Sequence, residues 1–302
     1  MFDTHCHLNF QKFKNNLSEV VERARESGIS HINIPGTDVK SSKVAVDIAQ
    51  DFDNTYASVG IHPHHIFKYQ IPHPRHPREN GDPEHGFVPA KAGIGVGNGV
   101  SSFLNSELKE IENLVVNKKV VAVGEIGLDR HYYLKTKYKE YEIDERLMAL
   151  QKDVFIKQIN IAIKNRKSLV LHNREATDEF LKLFSGMWSE NMSERVVFHC
   201  CEPNKKLLEF AKNNKIFIGV DGDVTYNKEK EDFIKQIPLG ILVLETDSPF
   251  LTPEPARSIN KFPNEPKNLF YIAEFIANKL SLPLEELKKI TFENSKKLFN
   301  IN

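Results

Sequence analysis

The sequence predicts an α/β fold: a TIM-like (β/α)8 barrel, regular or distorted, with loop insertions at its mouth. Two observations predict it. Eight short β-branched or apolar runs alternate with longer amphipathic stretches, and most of the runs end in an imidazole or a carboxylate. A barrel of this kind takes ~250 residues, so the 302 residues present are expected to form a single domain, 1–302.

The first run, Phe2-Asp3, opens onto Asp3-Thr4-His5-Cys6-His7 and precedes a helical spacing, Leu17-Val20-Val21-Ala24. Ile29 to Ile34 and Tyr56 to Ile61 follow, the latter leading into His62-Pro63-His64. Val120 to Val123 is continuously apolar, as suits a strand covered on both faces, and ends at Gly124-Glu125. The helical pattern Val154-Ile156-Ile159-Ile163 leads to Ser168–Leu171, which ends at His172-Asn173-Arg174. Val196 to Phe198 ends at His199, Ile216 to Val220 at Asp221, and Ile241 to Leu244 at Glu245-Thr246-Asp247. In a parallel barrel all these C-terminal ends meet at one mouth, where barrel chemistry sits. Two stretches after strand ends, about 68–102 and 130–142, are insertions expected on that side.

Composition narrows the function classes. Hydrophobic residues make up 40% and charged residues 27%, which excludes disordered, collagen-like and coiled-coil chains. Lys and Arg total 41, as do Asp and Glu, so a nucleic-acid partner would be held by a local patch or by metal. Cys6, Cys200 and Cys201 are an odd set with two adjacent, which argues for a reducing, cytoplasmic setting. No run approaches the ~20 apolar residues of a membrane span. Asp3, His5 and His7 stand where a signal peptide would be apolar. Neither a membrane nor an obligate protein partner is expected.

His5 and His7, two apart on an extended segment, put both imidazoles on one face. Such a pair alone is more often chance. Glu125, His172, His199 and Asp247 join it at the same expected mouth, although His199 alone would suit a core and Asp247 a turn before Ser248-Pro249. Imidazoles mixed with carboxylates are ligands of Zn, Mn or a similar divalent ion. Six candidates exceed the three or so that one catalytic ion takes. A two-metal site, ions ~3.5–4 Å apart, uses them all, with Glu125 midway round the barrel as the bridge. His62 and Arg174 suit a phosphate or a scissile group, whereas His64 and His65 fit a solvated loop better. The Gly93 to Gly99 run has neither phosphate-loop spacing and reads as a flexible surface loop. Cys6 alternates to the core side, and Cys200 and Cys201 read as buried thiols. Lys135, Lys137, Lys139, Lys288 and Lys289 read as solvated helix faces.

Taken in order, Asp3-Thr4-His5-Cys6-His7-Leu8, Gly60-Ile61-His62-Pro63, Gly124-Glu125-Ile126-Gly127-Leu128-Asp129, His172-Asn173-Arg174-Glu175-Ala176, Phe198-His199-Cys200 and Glu245-Thr246-Asp247-Ser248-Pro249-Phe250-Leu251 form a pattern. It resembles the TatD family of metal-dependent deoxyribonucleases, barrels of the wider amidohydrolase-like group, and the motifs cover most of the chain from Met1 to about Leu298. The resemblance implies His5 and His7 on one ion, His172 and His199 on a second, Glu125 bridging, and Asp247 as ligand and general base. It places His62 and Arg174 on the phosphate side. The implied cofactors are two divalent ions, Zn, Mg or Mn, and the implied reaction is hydrolysis of DNA phosphodiester bonds. A barrel mouth suits single strands or strand ends, so exonuclease action is expected, and the resemblance implies a 3'-5' direction.

Departures from the family pattern are Asn9 for Asp, Asn173 for Ser or Thr, Asp221-Gly222-Asp223 for a Ser-Gly version, and Pro255-Ala256-Arg257 without the usual His. The added carboxylates stand where they would alter metal affinity or repel phosphate. The rival expectation is another metal-dependent hydrolase on the same barrel: a lactonase, an amidohydrolase or an aminoacyl-tRNA deacylase. A phosphotriesterase type is disfavoured, because Val121, Ala122 and Val123 offer no Lys before Glu125. A non-catalytic metal- or nucleic-acid-binding module is the reading from another class, and the full ligand set argues against it.

Overall fold

Strands β1 (Phe2–Asp3), β2 (His31–Pro35), β3 (Thr55–Val59), β4 (Val120–Asp129), β5 (Ser168–Arg174), β6 (Val196–Phe198), β7 (Phe217–Val220) and β8 (Leu242–Leu244) pair in chain order, all parallel. The computed structural model describes residues 1–69, 98–134, 142–259 and 262–301. Around the sheet run α1 (Leu17–Glu26), α2 (Val39–Asp51), α3 (Asn98–Val115), α4 (Glu145–Lys164), α5 (Thr177–Met187), α6 (Lys205–Asn214), α7 (Lys228–Ile234), α8 (Leu269–Lys279) and α9 (Leu284–Phe299). The architecture is the expected (β/α)8 barrel. Among the described residues no helix is long and apolar enough to cross a membrane.

The ring closes just beyond the ends of β1 and β8. Thr4 N donates to the Leu244 carbonyl at 3.1 Å, Asp247 N to His5 O at 2.9 Å and His7 N to Ser248 O at 2.7 Å. The buried Asp3 carboxylate ties the seam by accepting from Thr246 N (3.0 Å) and Thr246 Oγ1 (2.6 Å). Segments bearing three candidate ligands are thereby fixed to each other by backbone.

Helix α4 illustrates how the outer layer positions the mouth. It buries Val154, Phe155, Ile159 and Ala162, so its core stripe is rotated from the expected one and leaves Ile163 exposed. On the same buried face Gln158 accepts from Ile61 N at 2.7 Å and donates to Ile61 O at 3.1 Å. One heptad earlier, Gln151 pairs the same way with Asp129 N (2.9 Å) and Asp129 O (3.0 Å). The two amides satisfy backbone groups that no strand ladder reaches, and they hold the segments carrying His62 and Asp129.

β4 differs from expectation. The apolar run stops at Val123, but pairing continues to Asp129, with a register shift in which Gly124 and Glu125 oppose Val170 alone. Such a bulge bends a strand and re-aims a side chain; here Glu125 lies inside β4 and turns into the mouth. Pro63–Tyr69 is a 3-10 helix, so His64 and His65 are half-buried and not in a solvated loop. His65 Nε2 lies 3.0 Å from Thr37 Oγ1, and His64 packs edge-on against Phe67 and Tyr133. Asn98 and Gly99 begin α3; the rest of the Gly93 to Gly99 run, Lys135, Lys137, Lys139 and most of the two insertions lie outside the described residues. Cys6 and Cys201 are buried as expected, whereas Cys200, turned by a positive φ of 45°, is only half-buried.

Candidate metal centre

Glu125 is the hub of the mouth. Its Oε1 lies 2.9 Å from His172 Nδ1, 3.2 Å from His199 Nε2 and 3.2 Å from His62 Nε2. Its Oε2 lies 3.5 Å from His5 Nε2 and 3.8 Å from His7 Nε2. Those two imidazole nitrogens are 3.2 Å apart and face Asp247 Oδ1 at 3.8 and 3.4 Å. All six expected ligand candidates therefore meet at one place, and His62 meets them. Among the described residues, every trio of His or acidic side chains close enough to share an ion lies here.

Asp247 reaches this position because its backbone is left-handed, with φ 48°. Asp tolerates that region better than most residues, and the turn, closed by Phe250 N donating to Asp247 O at 2.9 Å, swings the carboxylate back toward His5 and His7. Arg174 is exposed at the end of β5, where its guanidinium lies 5.2 Å from the Tyr133 ring centroid and 3.3 Å from Tyr133 Oη. It stands at the rim and does not join the hub.

The partners of the outer ring nitrogens fix what His7, His199 and His62 offer. His7 Nδ1 faces the Pro35 carbonyl at 3.2 Å and so carries the hydrogen, leaving a lone pair on Nε2. His199 Nδ1 faces Glu245 Oε1 at 3.2 Å, which likewise aims an Nε2 lone pair at the Glu125 carboxylate. A lone pair against a carboxylate is repulsive unless a cation or a proton sits between them. His62 is the opposite case: its Nδ1 accepts from His64 N at 3.0 Å, so its Nε2 is an N–H donor. The donor set thus fits divalent ions on either side of Glu125, with His62 outside the ligand shell.

The electrostatics agree. Burial alone would raise Glu125, yet the facing His62, His199 and His172 hold its carboxyl well below the usual range. Burial would lower His199, but Glu125 and Glu245 lift it well above its ordinary value. His172, despite burial, is raised to about 9 by its hydrogen bonds to Asp129 and Glu125. The cluster of carboxylates thus draws positive charge toward His172 and His199.

Three residues that shape the candidate site escaped sequence reasoning. Asp129 (Oδ2 3.2 Å from His172 Nε2) and Glu245 orient imidazoles; their only signal was a place at a strand end inside a motif. Buried Lys230 sets its ammonium 2.7 Å from Asp223 and 3.6 Å from Asp221, so the added carboxylates are offset internally and present less charge to an anion. Asn9 has a physical reason too. Its amide donates to both Pro35 O and Ser41 O at 3.0 Å, which a carboxylate could not do.

A parallel barrel whose mouth gathers imidazoles and carboxylates around one buried Glu belongs to a class, the metal-dependent hydrolases. The family model described as TatD related DNase matches residues 2–300, and the chain belongs to this family. It is 29% identical over 304 residues, 100% of both chains, to the uncharacterized metal-dependent hydrolase YabD of Bacillus subtilis. It is 28% identical over 309 residues, again 100% of both, to the 3'-5' ssDNA/RNA exonuclease TatD of Yersinia pseudotuberculosis. In structure it resembles YJJV, a TatD homolog from Escherichia coli K12, with a TM-score of 0.77 and 23% identity over 100% of this chain and 98% of that one.

Proposed function

We propose that this chain is a 3'-5' exonuclease that hydrolyses phosphodiester bonds of single-stranded DNA or strand ends with two divalent ions. One observation carries the reading: a single buried carboxylate presents Oε1 to His172 and His199 and Oε2 to His5 and His7. His5, His7 and Asp247 would hold one ion and His172 and His199 the other, with Glu125 shared. The imidazoles favour Zn and the carboxylates favour Mg or Mn. Ions there would polarise the phosphodiester and bring the pKa of a water toward neutrality.

The chain's own groups do the rest. Asp247, its side chain 15% exposed against 5% for Glu125, is the more open carboxylate and accepts the proton of the attacking water. The His62 Nε2–H and the Arg174 guanidinium offer donors to the phosphate oxygens as charge develops on them. The relatives named as exonucleases favour this reading over a lactonase, an amidohydrolase or an aminoacyl-tRNA deacylase. A cytoplasmic setting is part of the proposal and rests on three unpaired thiols.

The test is end-labelled single- and double-stranded DNA incubated with EDTA-stripped protein, with Mg, Mn or Zn restored separately. The expected result is metal-restored shortening from the 3' end, reduced roughly a thousandfold in Glu125→Ala, the several kcal/mol that metal stabilisation supplies. Cleavage that survives Glu125→Ala, or no cleavage by a folded, metal-loaded protein, would overturn the reading.

A further inference from the structure

On the side of β1, β7 and β8 the loops expose aromatic rings in company with cations. Phe10 stacks on the candidate ligand His7 with ring centroids 4.4 Å apart and planes 19° apart, and meets Phe250 at 6.1 Å, nearly perpendicular. Phe250 stands three residues beyond Asp247 and is 46% exposed, while Phe262 is 57% exposed. Lys12 sets its ammonium 5.3 Å from the Phe262 ring centroid. Further round, the Arg257 guanidinium lies 4.0 Å from the ring of Tyr226, itself 38% exposed, and also pairs with Glu254 at 3.7 Å.

This rim is built and continuous with the hub. Asn264 Nδ2 donates to Phe250 O at 2.7 Å, and Asn264 N to Pro249 O at 3.0 Å, so the loop carrying Phe262 is tied to the loop carrying Phe250. Phe10 N donates to His7 O at 3.1 Å. Exposed rings gathered in one patch beside a polar site mark a surface that binds something. Apolar faces interleaved with Lys and Arg match one chemistry well: unpaired nucleobases, each with a π-face, on a phosphate backbone. A paired duplex keeps its base faces stacked inward and offers these rings nothing.

We propose that Phe10, Phe250 and Phe262, with Lys12, form a stacking rim that receives unpaired nucleobases adjoining the scissile phosphate and so selects single strands. The proposal rests on the nuclease reading above and adds to it the feature of the strand that is recognised.

The experiment compares two substrates on metal-loaded protein: an oligothymidylate, and a strand of equal length whose terminal nucleotides are abasic but keep every phosphate. For the wild type, removing the bases should raise KM about tenfold per lost stack, with a much smaller change in kcat. In the Phe250→Ala/Phe262→Ala variant the KM difference between the two substrates should shrink sharply, because two of the three rings that sense the bases are gone. Both positions are exposed, and an unchanged Tm and metal content would establish that the variant is folded. A wild type indifferent to the bases, or a variant that keeps the full discrimination, overturns the rim while leaving the nuclease reading intact. Failure to hydrolyse either strand overturns both.

Discussion

The charge state of His172 ties metal binding to pH. Held between Asp129 and Glu125, it titrates near 9 in the metal-free protein, above its ordinary 6.5. An ion must displace that proton, so apparent metal affinity should rise about tenfold per pH unit for each proton released, levelling off above about 9. The same shift stabilises the metal-free fold; that contribution is complete below 6.5 and is lost as pH rises through about 9. Asp129→Asn removes one of the two carboxylates that raise His172. It should flatten the pH dependence and weaken metal binding by ~10–100-fold, as loss of an orienting partner does. Calorimetric titration of metal at several pH values checks both. Asp129 itself was hard to read in advance: the period of two assigns faces along a regular strand, and a bulge lies between Val123 and Asp129. His5 and His7 were legible because nothing interrupts the period between them.

At the scale of the element, β4 decides the geometry of the site. Its hydrophobic pattern ends at Val123, so the sequence marked a four-residue strand, although backbone pairing continues through a further six residues to Asp129. Glycines explain the mismatch. They carry no hydrophobic signal, yet Gly127 passes so close to β5 that a Cβ there would run into the His172 carbonyl oxygen. Gly127→Ala should therefore push β4 and β5 apart where both present candidate ligands. We expect a loss of ~1–3 kcal/mol in stability, read as a lower Tm, together with reduced metal content in the folded protein. An alanine variant matching the wild type in both would show that the two strands tolerate separation. The α4 stripe was displaced for a related reason. Gln151 and Gln158 sit among its buried positions, and polar residues hide a helical face from a hydrophobic count even when their amides are hydrogen-bonded.

For the molecule as a whole, barrel, family and hub were readable because they depend on repetition: eight alternations, and a His or a carboxylate at strand end after strand end. What depends on a single contact was not. The offset of Asp221 and Asp223 by Lys230 joins a loop after β7 to α7 through a buried ammonium, and Lys230 in sequence looks like any solvated lysine. The rim of Phe10, Phe250 and Phe262 likewise assembles from segments some 240 residues apart and appears only when the barrel closes. The central claim is that one carboxylate, Glu125, separates two metal positions. Anomalous X-ray diffraction at the manganese edge, on crystals of manganese-loaded protein, tests it most directly. The account predicts two peaks ~3.5–4 Å apart flanking Glu125, one beside His5 and His7 and one beside His172 and His199. A single peak, or manganese bound away from Glu125, would contradict it.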